Sequence, residues 1–149
     1  MQFSISREAL LKPLQMVSGV VERRQTLPVL SNVLLVLRGS ELSLTGTDLE
    51  VELIGRAQTE GSSKDGEITV PGRKLLDICK SLADDSSLEI SVADNKLKLK
   101  CGRSRFTLTT LPASEFPSVD EEPDAYSITI TQAKLRELLD ATSFAMAQQ

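Results

Sequence analysis

The side chains with the clearest capacity for chemistry are three carboxylates. Asp48, Glu50 and Glu52 alternate along the chain. On a strand, alternation would put all three on one face, where oxygen ligands suit Mg²⁺. A metal-dependent nuclease is the enzyme such a pattern would serve. A solvated strand face carries the same pattern, and no candidate base accompanies the three acids. The rest of the chemical inventory is thin. The chain has no histidine and two cysteines, Cys79 and Cys101, which form no CxxC pair. That removes the common zinc ligand sets and every triad or proton shuttle built on imidazole. There is no GxxxxGK stretch, so no nucleotide site is expected. Gly46, within Thr45-Gly46-Thr47, reads instead as a close backbone approach or a bulge. No metal or cofactor is expected.

Composition narrows the class further. At 149 residues, 40% hydrophobic and 26% charged, the chain reads as a soluble globular domain, or slightly more than one. No apolar run is long enough to span a membrane. The opening Met1-Gln2-Phe3-Ser4-Ile5-Ser6 lacks the basic-then-apolar pattern of a signal peptide. Two free thiols fit a reducing compartment, so a cytoplasmic location is expected. With 3% aromatic residues, no Trp and one Tyr, Tyr126, the composition argues against a protein that stacks single-stranded bases on rings. A net charge of −4 argues against a generic nucleic-acid binder.

The elements that must position these residues recur. Phe3-Ser4-Ile5-Ser6 precedes Arg7-Glu8-Ala9-Leu10, Ile68-Thr69-Val70-Pro71 precedes Gly72-Arg73-Lys74-Leu75, and Ile128-Thr129-Ile130-Thr131 precedes Gln132-Ala133-Lys134-Leu135. Alternating apolar residues read as a strand, and the Leu10/Leu14, Leu75/Cys79 and Leu135/Leu139 spacings read as helix faces. Ser6 and Thr131 suit N-caps; Pro71-Gly72 does so less conventionally, and Pro13 should bend the first helix. The helical stretches are expected at 7–24, 72–83 and 131–149. Strand-like segments follow the first two helices, at 32–38, 41–47 and 51–59, then at 87–93, 96–101 and 104–110. The unit is β-α-β-β-β, present twice, in an α+β fold with two helices on antiparallel sheets. The third unit gives its strand and helix only. One complete domain is therefore expected over 1–124, including an acidic linker at 113–124, with the start of a second at 125–149. In that last helix Leu135, Leu138, Leu139, Thr142 and Met146 should share a face that lacks strands of its own to cover it.

Charge is segregated on this frame. The expected helices hold nine Lys/Arg (Arg7, Lys12, Arg23, Arg24, Arg73, Lys74, Lys80, Lys134, Arg136) against five acids (Glu8, Glu22, Asp77, Glu137, Asp140). The rest of the chain carries the negative balance. Arg73 and Lys80, seven apart, should share a helix face. Ordinary solvation explains such a face; a weak surface for phosphates, without base readout, explains it too. The stretch Arg103-Ser104-Arg105-Phe106-Thr107-Leu108 alternates strictly, with Arg103 and Arg105 on one strand face and Phe106 and Leu108 on the other.

Several stretches together carry a resemblance over the whole chain. They are Leu10-Leu11-Lys12-Pro13-Leu14-Gln15, Thr26-Leu27-Pro28-Val29-Leu30-Ser31-Asn32, Leu42-Ser43-Leu44-Thr45-Gly46-Thr47-Asp48-Leu49-Glu50, Gly102-Arg103-Ser104-Arg105-Phe106, Thr110-Leu111-Pro112, Phe116-Pro117 and Phe144-Ala145-Met146-Ala147. In these the chain resembles the bacterial DNA sliding clamp, the beta subunit of DNA polymerase III. The resemblance implies a DNA-clamp fold of three similar domains per protomer and a two-protomer ring with helices lining the hole. It implies a processivity factor of chromosomal replication, a non-catalytic subunit of a DNA-directed DNA polymerase (nucleotidyltransferase) holoenzyme. Its partners would be double-stranded DNA, DNA polymerase III and the clamp loader. Residue by residue, Arg24, Arg73, Lys80, Gln148 and Gln149 match inner-surface positions that contact duplex. Lys74, Lys96, Arg103, Arg105, Phe106 and Leu108 match positions at the protomer interface, where 103–108 would be an edge strand. The peptide-binding pocket of the family lies outside this chain. A scaffold of the same fold that binds no DNA is the other alternative; it would show no salt-dependent affinity for duplex.

Overall fold

The structure is a computed structural model of the 149-residue chain, and it describes residues 1–21, 27–117 and 128–146. Two compact units divide the chain, Met1–Val119 and Asp120–Gln149.

In the first unit the order is β1 (Gln2–Ser6), α1 (Arg7–Val17), β2 (Asn32–Arg38), β3 (Glu41–Thr47), β4 (Glu52–Gln58), β5 (Glu60–Lys64), β6 (Gly66–Pro71), α2 (Gly72–Ser81), β7 (Ser87–Ala93), β8 (Lys96–Cys101) and β9 (Ser104–Thr109). All neighbouring strands run antiparallel. One sheet has the order β5-β1-β7-β8-β9 and the other β4-β3-β2-β6. The repeat is thus exchanged rather than modular. β1, the first strand of the first unit of the repeat, pairs with β7 of the second, and β6 pairs with β2. Neither half owns a complete sheet, so the two are built to fold together.

Alternation explains the core. Leu35, Leu37, Leu42, Leu44, Leu88, Ile90, Leu97 and Leu99 point inward from their strands and are buried with Leu10, Leu14, Leu75 and Cys79 from the helices. Burial of each such side chain stabilises the fold by roughly 1.5–3 kcal/mol. Short turns set the register. Gly39 and Gly102 take positive φ at the first central position of two-residue hairpins, while Asp94 and Asn95 both do so in a third, as primed turns require.

Several features differ from expectation. The first helix ends at Val17 rather than 24. It runs through Pro13, which is buried and lacks an N–H for the ladder. The proline ring lies against β4, where a Cβ at Gly55 would come within 2.7 Å of Pro13 Cβ. β5 is additional. Glu-Gly-Ser-Ser-Lys has no apolar alternation to announce it, because it is an exposed polar edge laid against β1. Arg103 lies in the hairpin turn before β9, not on the strand.

A second, small cluster closes the unit. Val29, Leu30 and Phe116 are buried against Leu34 and Leu111. The chain after β9 is fastened there by Thr69 and Leu111, which exchange backbone hydrogen bonds of 3.0 and 3.2 Å. The Thr69 hydroxyl donates to Leu111 O (3.1 Å) and accepts from buried Asn32 Nδ2 (2.9 Å). The stretches ending at Asn32, Pro112 and Pro117 therefore form one packing unit.

In the second unit, α3 spans Gln132–Thr142, with Thr131 Oγ1 accepting from Lys134 N as its N-cap. The expected strand at 128–131 does not form, and the helix stops well short of 149. A strand needs a ladder, and among the described residues of this unit there is none. Leu135, Leu138 and Leu139 are 46%, 49% and 58% exposed.

Candidate nucleic-acid and subunit interfaces

Helices α1 and α2 pack side by side and are tied together at both ends. The Arg7 guanidinium, at the start of α1, donates from Nε to the Cys79 carbonyl in the last turn of α2 (2.9 Å). It also contacts Asp84 (2.6 Å) and Glu8 (3.3 Å) through Nη1. Glu8 Oε1 in turn accepts from Asp85 N (3.2 Å). The Glu8 carboxyl is held below its usual range chiefly by its own backbone N–H and that of Asp85. At the other end Arg73, in the first turn of α2, donates from Nη2 to the carbonyl of Val21 (3.1 Å), just beyond α1.

The faces turned from the core carry the cations. Lys12 on α1, and Arg73, Lys74 and Lys80 on α2, are all exposed. Arg73 and Lys80 lie roughly 20° apart around the helix, whereas Lys74 is offset from Arg73 by roughly 100°. Arg24, Gln148 and Gln149 lie outside the described residues.

The second set of site residues gathers at the far side of the first sheet. β9 pairs with β8 alone and stands at the end of its sheet. The edge reading of this strand agrees with that. Arg105 is exposed, cross-strand from Lys100, and Lys96 is exposed opposite Thr109. Phe106 is half-buried at the margin of the core, and Leu108 is buried in it. What β9 presents outward is thus its free backbone edge, Arg105 and the turn residue Arg103. Lys74 stands apart on α2. Further in, β8 alternates Lys96, Lys98 and Lys100 with buried Leu97 and Leu99. Lys100 pairs with Glu89 at 2.9 Å beside a shallow trough of about 660 Å³ that Gln2, Ser4, Ser91, Lys98 and Thr107 also line.

The three carboxylates that suggested a metal site are not on one strand face. Asp48 and Glu50 sit in the turn between β3 and β4, and only Glu52 is in a strand. Asp48 Oδ1 accepts from Val51 N (2.7 Å) and Glu50 N (3.0 Å). Those two bonds, Val51 first, hold its carboxyl below the usual range. Thr47 Oγ1 donates to Val51 O (2.9 Å) and accepts from Leu49 N (3.0 Å). The motif is a self-bonded turn that forces Leu49 to φ 80°. Among the described residues no group of three potential ligands converges.

Gly46 is a close backbone approach, as expected. A Cβ there would stand 2.5 Å from Val17 O and 3.3 Å from the Val21 side chain, so β3 lies directly under the end of α1. Sequence reading missed Arg7, Asn32 and Thr69. An Arg at a helix start and a buried amide carry no signal in isolation; only their distant carbonyl and hydroxyl partners make them ties.

Comparison with known proteins completes the assignment. Residues 1–120 match the family model described as the DNA polymerase III beta subunit, N-terminal domain. The chain is 66% identical over 149 residues to the beta sliding clamp of Pseudomonas aeruginosa, covering all of this chain and 41% of that protein. It is 46% identical over 144 residues to a Vibrio harveyi beta sliding clamp sequence, covering 97% of this chain and 99% of that sequence. A crystal structure of the Pseudomonas aeruginosa DNA polymerase III subunit beta superposes with a TM-score of 0.94 at 64% identity, over 100% of this chain and 40% of that one. The Caulobacter crescentus counterpart does so with a TM-score of 0.93 at 39% identity, again over 100% and 40%. The chain thus spans about two fifths of the length of most of these relatives. On this evidence the chain belongs to the bacterial beta sliding clamp family, with residues 1–120 as the N-terminal domain of a DNA polymerase III beta subunit.

Proposed function

We propose that this chain supplies the first domain of a ring that encircles duplex DNA and tethers DNA polymerase III during chromosomal replication. Residues 125–149 would be the opening segment of a second domain of the same fold. The observation that carries this reading is the clamp-family fold of residues 1–120 combined with exposed cations on α1 and α2. A surface of separate cations without base-reading side chains makes phosphate contacts that do not depend on sequence, as sliding requires. In this reading Arg24, Arg73, Lys80, Gln148 and Gln149 face DNA. The role is mechanical and non-catalytic, with a clamp loader placing the ring and no cofactor involved. A cytoplasmic location follows from the role, and no described helix is long and apolar enough to cross a membrane.

The ring would close through β9. Its free edge can add a strand from a partner protomer, with Lys74, Lys96, Arg103 and Arg105 giving charge pairs and Phe106 and Leu108 backing the strand. Duplex titrations of this chain across a salt series test the DNA reading. Weak affinity falling steeply with salt, without sequence preference, is expected; affinity that survives 0.5 M salt rejects it. In the whole clamp, Arg24→Ala should shorten retention on DNA and leave the fold intact, and unchanged retention would reject the role of that residue. The scaffold alternative predicts no salt-dependent binding at all.

A further inference from the structure

We infer that Arg73 serves the DNA-facing surface as a positioning residue, by holding the chain where it leaves α1, and not simply as a positive charge for phosphate. The inference rests on the DNA-facing reading above and deepens it. Three observations converge on that exit point. Arg73 Nη2 donates to the Val21 carbonyl across 52 residues of sequence (3.1 Å). The Val21 side chain is buried in the main core, so the carbonyl is fixed from below. β3 at Gly46 touches both Val17 O and the Val21 side chain. The helix has already ended at Val17, so Val21 O has no place in the α1 ladder, and a half-buried carbonyl left without a donor is costly. Arg73 supplies that donor.

The companion tie shows that a guanidinium is used this way in this fold. Arg7 makes the same kind of bond to the Cys79 carbonyl at the opposite ends of the two helices, but Asp84 and Glu8 neutralise it. Arg73 pairs with no carboxylate among the described residues. In sequence, Val21 precedes Arg23 and Arg24. Lysine keeps the charge of Arg73 but not the planar fork or the reach.

The test compares the unaltered chain with Arg73→Lys and Arg73→Ala. Amide exchange at Gly19, Val20 and Val21 is followed by NMR, and each protein is titrated with a short duplex at low salt. Positioning predicts faster exchange at those amides in both variants, severalfold or more. It also predicts that Arg73→Lys loses as much duplex affinity as Arg73→Ala. Wild-type titration by Arg73→Lys beside a loss in Arg73→Ala would make Arg73 a phosphate charge and overturn the inference. Unchanged exchange in both variants would overturn it as well. If the unaltered chain shows no duplex titration, the DNA reading itself fails, and the exchange arm still decides whether Arg73 holds Val21.

Discussion

Gly46→Ala tests the packing that sets the end of α1. The added methyl would stand 2.5 Å from Val17 O, whereas a carbon normally stays about 3.3–3.6 Å from a carbonyl oxygen. β3 and α1 must therefore separate locally by close to 1 Å. The opposing atom is backbone carbonyl and cannot rotate aside, and Val17 is fully buried. Overpacking of this kind costs roughly 1–3 kcal/mol, and the rigid neighbour places this site near the top of that range. Alanine regains about 0.5–1 kcal/mol over glycine within a strand, which leaves a net loss of about 2 kcal/mol. For a unit the size of Met1–Val119, an unfolding entropy near 2.1 cal/mol/K per residue converts this to a fall of about 8 °C in Tm. Thermal melts followed by circular dichroism provide the measurement. Gly39→Ala is the control: its φ is 57° with nothing within 4 Å of the added carbon, so it should cost only the backbone strain, about 1 kcal/mol. A Gly46→Ala protein that melts within 2 °C of the parent, or no lower than Gly39→Ala, would refute the close-approach argument.

Thiol chemistry should separate the two cysteines. Burial pushes the Cys79 thiol up to about 11 from 9.0, so below pH 9 the folded chain should react at half-buried Cys101 alone and at both after unfolding, as read by mass; rapid native labelling of Cys79 would contradict its placement. Because the folded value is raised, the contribution of this group to stability is intact below about pH 9 and is lost as pH rises toward 11. The Asp48 turn has the opposite sign: its carboxyl is depressed, so its contribution is present above the ordinary Asp range and lost as pH falls through the folded value. Asp48→Asn should flatten the acid limb of the stability profile, and an unchanged limb would show the turn bonds to be idle. Leu49→Gly relieves a positive φ at an exposed side chain and should stabilise by about 0.5–1 kcal/mol in urea melts; destabilisation would mean that Leu49 packs in a way the turn geometry does not explain. Phe116→Ala should cost about 3 kcal/mol and open 110–117 to protease, whereas resistance equal to the parent would show the small cluster to be dispensable.

The sequence by itself determined the elements, because each depends on local physics. Period-two alternation marked β2, β3, β7 and β8 to the residue, and four-residue spacing with Ser6 and Thr131 marked where α1 and α3 begin. The repeat and the matching stretches were enough to name the family resemblance that the comparisons bear out. Tertiary structure decided everything that depends on a distant partner. β1 and β6 trade sheets because each finds its ladder in the other half. β5 becomes a strand only by lying against β1, since its polar residues have no pattern of their own. Asp48 became a turn acceptor because the nearby N–H groups of Glu50 and Val51 compete better for its carboxylate than open solvent does. Thr69 and Asn32, 37 residues apart, close the unit through a bond no local rule foretells. Arg73 was legible as a helix cation, but the Val21 carbonyl that gives it a structural task lies 52 residues away, and only packing α1 beside α2 brings the two within hydrogen-bond reach.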